Sequence, residues 1–479
     1  MTKGKEKEEY MDQSFRDTIG TVDESGKRKW VYPKKPKGRY YNARTWVSIF
    51  LLTLLFSGPF LRINGQPVLL LDILQRRFII FGQVFWPQDF YIFVLIMLAG
   101  ILFIVLFTVV FGRIFCGWIC PQTIFMEMVF RKIEYWIEGD YKHQKRLNDG
   151  PWTKEKVRKK ALKHSIFFAI SFLIANTFLA YLIGSDRLFE IISQPPMNHI
   201  STLVSLLIFT GIFYWVFSWF REQVCIVVCP YGRLQGVMLD KNSIVVAYDY
   251  IRGEMRGKFR KNENREEVNK GDCIDCFQCV DVCPTGIDIR NGTQLECINC
   301  TACIDACDHM MESVGLPKGL IRFDSEEGIV NKNQKKLTPR SIGYSIVLVL
   351  ILGLMSFLLM SRTDVDATVL KAPGQQYQKR GDTQVSNMYN YKIINKTFND
   401  IPADIRLIDR NGEIELIGRP DGLTIPSESI AEGTFFLVQN IGELEDRKST
   451  IYLGVYSKEG VLLDKVKTTF IAPIKRRKQ

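Results

Sequence analysis

"CIDCFQCVDVCP" (Cys273–Pro284) carries four cysteines spaced Cys-x2-Cys-x2-Cys-x3-Cys, and the same spacing returns in "CINCTACIDAC" (Cys297–Cys307). In this spacing a tight loop brings three thiolates onto one iron–sulfur cubane, and the fourth cysteine of each run ligates the other cluster. The pattern therefore predicts a bacterial-type 2[4Fe-4S] ferredoxin domain. One cluster would take Cys273, Cys276, Cys279 and Cys307, and the other Cys297, Cys300, Cys303 and Cys283. Thiolates also suit zinc, but four-cysteine zinc sites come as separated Cys-x2-Cys knuckles. One departure stands out: Pro284 follows Cys283, whereas Asp308 follows Cys307. The proline is missing there and the ligand is not.

The chain has 12 cysteines, and the remaining four form two matched pairs. "RIFCGWICPQ" (Arg113–Gln122) holds Cys116 and Cys120, and "QVCIVVCPYG" (Gln223–Gly232) holds Cys225 and Cys229. Each pair follows a long apolar run. On a helix continuing past that run, residues i and i+4 would share a face. Three readings fit: packing as small buried hydrophobes, a soft-metal site such as copper(I), and a third iron–sulfur cluster bridging both pairs. Repetition of Cys-x3-Cys-Pro beside two clusters favours a redox or metal role, and whether the pairs meet in space is open.

The mean hydropathy near zero conceals very apolar and very charged blocks. A membrane span needs about 20 apolar residues. Residues 90–111, 165–184, 200–220 and 341–361 meet this, and a shorter run, 46–61, is flanked by Arg44 and Arg62. The first 45 residues are polar and basic, so the run after them reads as a retained anchor rather than a cleaved signal. Residues 1–45 carry 12 Lys/Arg and 112–160 carry 11, against three in 62–89 and one in 185–199. The positive-inside rule then puts the N-terminus, 112–160 and the ferredoxin domain (221–340) in the cytoplasm and 362–479 outside. The basic tail "KRRKQ" does not overturn this, because long domains translocate largely regardless of charge. Segment 64–89 reads as lying along the outer interface, since Arg76 and Arg77 would be costly inside a sixth span.

Past the fifth span (341–361), short strand-like runs such as "NMYNYKIINKTF" and "GTFFLVQNIG" alternate with turn signals at Asn411-Gly412 and Lys458-Glu459-Gly460. They predict an Ig-like β-sandwich over 362–479. It has no Cys and no His, which suits partner contact better than metal chemistry. The predicted architecture is a multi-pass α-helical membrane protein: a basic segment 1–45, a core 46–220, the ferredoxin domain, a fifth span and an extracytoplasmic sandwich.

The net charge of +12 follows from basic loops, and no aromatic-interleaved basic motif suggests nucleic acid. The four histidines, His143, His164, His199 and His309, offer no pair on one face of the membrane for a haem. Neither a Gly-x-Gly-x-x-Gly fingerprint nor a Walker A motif is present, so electrons must come from another molecule.

The layout resembles the CcoG/FixG family, accessory proteins for assembly of high-affinity haem–copper cytochrome c oxidases. The resemblance rests on "CGWICPQ", "CIVVCPYGRLQ", the double ferredoxin run, the last span and the sandwich tail, and covers almost the whole chain. It implies a protein of the bacterial inner membrane that reduces Cu(II) to Cu(I), a cupric reductase-like oxidoreductase. It carries cluster ligation onto the eight ferredoxin cysteines and the copper or redox role onto Cys116, Cys120, Cys225 and Cys229. The implied partners are a cytoplasmic electron donor, a copper transporter or chaperone, and oxidase assembly factors. Two rivals use the same clusters: a ferredoxin subunit that oxidises quinol, and a non-catalytic scaffold or sensor.

Overall fold

The computed structural model describes residues 20–473, apart from 23–24, 64, 74–76, 87–88, 262, 264, 266, 333–337, 375, 382, 419–421 and 445. Residues 1–19, Arg76 and the tail "KRRKQ", which entered the topology argument, lie outside the described residues. The chain forms two compact units. One is Val94–Gly353 with the segment before Arg62, and the other is Arg62–Phe93 with the chain from Leu354 onward.

Among the described residues five helices are long and apolar enough to cross a membrane. They are α1 (Arg39–Ser57), α2 (Phe90–Phe111), α3 (Lys154–Ile183), α4 (Ile200–Trp215) and α5 (Pro339–Met360). Two, α1 and α3, start at least a full helical turn before the apolar runs, and the reason is capping. Thr153 accepts from the Lys156 N–H at 3.2 Å, so α3 begins in the polar "KEKVRKK" stretch. At α1 the first free N–H groups, Tyr40 and Tyr41, donate to the carboxylate of Asp305 at 3.1 and 2.8 Å. A helix start leaves such donors unpaired, and here the cap comes from a residue far along the chain.

The ferredoxin unit is small and irregular. The two-stranded pair Val245–Tyr248 and Ile321–Asp324 backs the helix Ala302–Ser313, and Val246, Tyr248, Met311, Leu320 and Ile321 fill the space between them with the cysteines.

In the second unit, residues 365–471 form two antiparallel sheets. The strands are β1 (Val365–Lys371), β2 (Gln378–Arg380), β3 (Gln384–Asn395), β4 (Ile401–Leu407), β5 (Glu413–Leu416), β6 (Leu423–Ile425), β7 (Ile430–Asn440), β8 (Lys448–Ser457) and β9 (Leu462–Ile471). One sheet runs β5-β7-β3-β1 with β2 on β3, and the other runs β6-β4-β8-β9. Tyr389, Phe435, Leu437, Ile451, Leu453 and Phe470 are fully buried between them. The segment expected to lie along the outer interface carries three antiparallel strands, Leu69–Asp72, Arg77–Ile80 and Gln83–Phe85, paired as a meander. Its Leu70, Ile79 and Val84 pack with Trp86 against Phe398. Asp89 is buried between Arg362 (2.7 Å) and Lys396 (2.8 Å), tying this meander to the sandwich.

Candidate iron–sulfur and thiol site

The two ferredoxin runs repeat one backbone device. Asp275 and Phe277 in the first, and Asn299 and Thr301 in the second, all take left-handed φ between 52° and 66°. Each such non-glycine residue costs about 1–2 kcal/mol. The alternation curls each loop around a cavity and turns its N–H groups inward. One cavity is lined by Cys273, Cys276, Cys279 and Cys307, with Tyr248, Ile274, Met311 and Leu320. The other is lined by Cys283, Cys297, Cys300 and Cys303, with Val246, Ile287 and Ile298, and Cys279 borders it too. Burial in these apolar walls pushes the Cys297 and Cys307 thiols up to about 12 and Cys300 to about 11. A bare thiolate is disfavoured there, and a bound iron–sulfur cluster supplies the positive charge that ionises it. Four thiols facing each closed apolar cavity are a donor set that fits a cubane. Among the described residues no three Cys, His, Asp or Glu side chains converge tightly enough for a single metal ion.

The paired motifs are not helical turns. Gly112, at φ +57°, ends α2, and the chain restarts as the short helix Ile114–Trp118 with Cys116 inside it. Cys120 is extended (φ −56°, ψ 123°) and caps a new helix that opens on Pro121. Cys229 repeats this (φ −67°, ψ 110°) before Pro230. The residue before proline is driven out of the α region, so Cys-Pro breaks the helix at the second cysteine of each motif. The expectation that each pair shares one face of a continuing helix is thereby corrected. The π-helical stretches Ile124–Phe130 and Val216–Phe220 flank the motifs, and a third, Val224–Val228, carries Cys225 itself. Such stretches are rare and frequent at functional sites.

The two pairs share one neighbourhood. Burial first, then the charges of Cys120, Cys116 and Cys229, push Cys225 up to about 12. Burial also raises Cys116, opposed by Arg113. Arg113 bridges the motifs. Its Nε donates to Gln235 at 2.7 Å and its Nη1 to the Leu295 carbonyl, while its Nη2 lies against Gly232. Gln235 Oε1 also accepts from the Cys116 thiol at 3.3 Å, and Tyr231 bonds Thr108 at 2.9 Å. Sequence reasoning assigned no role to Arg113, Thr108, Tyr231 or Gln235; the only available signal was their position inside or beside the two quoted motifs.

The first motif also seats on the ferredoxin unit. Cys116 shares a buried cluster with Val282, Ile298, Cys300 and Ala302, with Cys303 packed against it. Gly117 passes so close to the loop between Cys297 and Cys300 that a Cβ there would lie 2.5 Å from the Ile298 carbonyl oxygen. Arg44 clamps the Gly117 carbonyl at 2.6 Å. Beneath the motifs lies a buried charged set. Glu134 accepts two bonds from Arg221 (3.0 and 2.8 Å), and Arg131 lies 3.3 Å from Glu127 and 3.9 Å from Glu222. Burial alone would raise the Glu134 carboxyl, but Arg221, Lys163 and Arg131 outweigh it and hold it below the usual range. The histidines are spent elsewhere: His164 on Tyr214 (2.8 Å), His199 on Gln194 (2.7 Å) and His143 on the Glu138 carbonyl, while His309 is exposed.

Apolar helices, two four-thiol cavities and an adjoining thiol site define a membrane iron–sulfur electron-transfer protein. Family models agree: a 4Fe-4S dicluster domain matches residues 220–326, a 4Fe-4S binding domain matches 93–142, and the IG-like fold described for the C-terminus of FixG matches 355–473. The chain is 33% identical to protein RdxA of Cereibacter sphaeroides, covering 84% of this chain and 87% of RdxA. It is 34% identical to protein RdxB of the same organism, covering 77% and 80%. It is 36% identical to the nitrogen fixation protein FixG of Rhizobium meliloti, covering 62% and 57%. The chain belongs to the FixG/CcoG-type family.

Proposed function

We propose that this protein takes electrons from a cytoplasmic donor onto the ferredoxin unit and delivers them to the four-thiol site. There it reduces Cu(II) to Cu(I) for assembly of a haem–copper oxidase in the bacterial inner membrane. Clusters on the two thiol quartets would supply one-electron chemistry, which matches one Cu(II) per electron. Cys116, Cys120, Cys225 and Cys229 would have to close on the ion, since no three of them converge on their own, and soft thiolates favour the cuprous product. The observation that carries this reading is that Cys116 belongs to one buried cluster with Cys300, against which Cys303 packs. The reading places the ferredoxin unit on the cytoplasmic side, as the basic loops require. In anaerobically purified protein, Cys116→Ala/Cys225→Ala should keep iron, sulfide and visible absorbance and lose Cu(II) reduction. Reduction at the unmodified rate would refute the assignment.

A second reading, quinol oxidation, is favoured by one observation: Arg131, Glu127 and Glu222 form a buried charged set next to the thiol motifs. Quinol releases protons that such carboxylates would accept, and a quinol assay on the same preparation separates the two readings.

A further inference from the structure

A groove of about 1140 Å³ lies over the ferredoxin unit. Its floor is the helix Ala302–Ser313, through Asp305, Ala306 and His309. That helix carries Cys303, which lines one thiol cavity, and Cys307, which lines the other. One rim is the strap Lys34–Tyr40, and the other is Lys318–Arg322. The strap is pinned at several points. The Lys34 N–H donates to the Asp281 carbonyl at 2.7 Å and its Nζ to Gln278 at 2.7 Å. The Lys35 N–H donates to Asp140 at 2.9 Å, and a side chain on Gly38 would collide with Asp305.

The acids of the groove are already committed. Asp305 caps α1, Asp308 accepts from the Gly319 N–H at 2.8 Å, Asp140 accepts from Lys35 and Tyr141, and Glu312 pairs with Lys318 at 3.1 Å. Lys35, Lys37 and Arg39 are exposed, and among the described residues none of the three makes an ion pair. The surplus positive charge therefore sits on one rigid rim of a concave surface whose floor helix bears a thiol from each quartet.

We propose that this groove is the docking face for an acidic one-electron carrier protein, of the flavodoxin or ferredoxin kind, that reduces the clusters. The proposal rests on reading the eight ferredoxin cysteines as cluster ligands. One electron passes per encounter, from the reduced carrier to an oxidised cluster. Opposite charge on the carrier steers the encounter and orients it, and such steering raises association rates about 10–10³-fold at low salt. The strap also leads into α1, so anionic lipid headgroups are the competing partner. A flat juxtamembrane basic patch would suit lipid, whereas a concave groove backed by the thiol-bearing helix suits a carrier.

The test uses full-length protein in zwitterionic-lipid nanodiscs, with iron content and visible absorbance checked first. Cluster reduction is followed by stopped flow with reduced acidic flavodoxin and, separately, with reduced methyl viologen. The reading predicts that the flavodoxin rate falls steeply with salt. It also predicts that Lys35→Glu/Lys37→Glu/Arg39→Glu slows it roughly tenfold or more at low salt without slowing viologen. Lys35→Gln/Lys37→Gln, a milder change, should show the same selective slowing at smaller size. An unchanged flavodoxin rate in both variants overturns the proposal. If the variants lose only their binding to phosphatidylserine vesicles, the strap belongs to the lipid surface instead. Because the readout is cluster reduction, a failed copper assay leaves this result intact.

Discussion

Gly117→Ala tests the seat between the first thiol motif and the ferredoxin unit. The new Cβ would sit 2.5 Å from the Ile298 carbonyl oxygen and 3.0 Å from Asn299 backbone atoms. A carbon and a carbonyl oxygen settle at about 3.3–3.6 Å, so the two loops must part by close to an ångström. Both obstructing partners are backbone, and Arg44 holds the Gly117 carbonyl from the other side, so the strain cannot be shed by rotating a side chain. Overpacking of this kind costs about 1–3 kcal/mol. The displaced loop lies between Cys297 and Cys300, so the gap opens between the thiol site and the nearer cavity. A misplacement of about an ångström at a reacting centre can cost on the order of a hundredfold in rate. The assay is reoxidation of dithionite-reduced protein by Cu(II), followed through the iron–sulfur absorbance, with oxidation by ferricyanide as the comparison. Gly117→Ala should slow the copper-driven phase tenfold or more, and Gly211→Ala, where a Cβ meets nothing within 4 Å, should not. Equal copper-driven rates for Gly117→Ala and the unmodified protein would refute the seat as the route of transfer.

Asp89→Ala takes the carboxylate from Arg362 and leaves Lys396 only Asp366 at 3.7 Å, both cations being under one-tenth exposed. Breaking a buried pair from one side costs about 3–5 kcal/mol, so protease resistance of the sandwich and meander should fall sharply while iron content stays constant. Arg290 is bound to Asp275 and Asp288 and covers Phe277 beside the first cavity. Arg290→Gln removes positive charge from that wall and should lower the potential of one cluster by roughly 30–100 mV in a redox titration. Glu134, with its carboxyl held low, stabilises the fold above the ordinary carboxylate range, and this stability is lost as pH falls through its depressed value. Glu134→Gln should therefore be less stable than the unmodified protein at neutral pH, by about 3–5 kcal/mol for a broken buried pair. The difference should shrink on acidification in thermal-unfolding scans.

The parts legible in the sequence are those where chemistry acts locally along the chain. Three of the four thiols in each ferredoxin quartet sit on one short loop, so their spacing is visible, and an apolar span announces itself by length. Gly460 marks the reversal between the paired strands β8 and β9, whereas Asn411-Gly412, expected to turn a hairpin, lies on the crossover from β4 in one sheet to β5 in the other. What sequence reading missed depends on distant partners. The start of α1 is set by Asp305, which no local capping rule can see. The meander of residues 69–85 buries Leu70, Ile79 and Val84 against Phe398, a contact with no local signature. The Cys-x3-Cys-Pro geometry was legible in principle, because a residue before proline leaves the helix; assuming that the apolar helix continued hid it. That the two motifs share a site depends on Arg113 and Gln235 reaching across, which spacing alone does not reveal.

The thiol site combines access with suppression. Cys116 is buried, while Cys120, Cys225 and Cys229 are partly open, and the chain around them sits beyond the ends of the apolar spans. Burial pushes Cys225 up to about 12, so at neutral pH the bare thiol stays protonated and is a poor nucleophile and a poor target for oxidants. A soft cation changes this balance: bound charge ionises the thiols and releases their protons, so metal loading and thiol activation become one event. On the proposed reading the site would be quiescent without an ion and reactive with one. Its first cysteine meanwhile shares a buried cluster with Cys300, with Cys303 packed against that cluster. If the proposed reading holds, the electron route is built into the fold and ion binding sets when it is used.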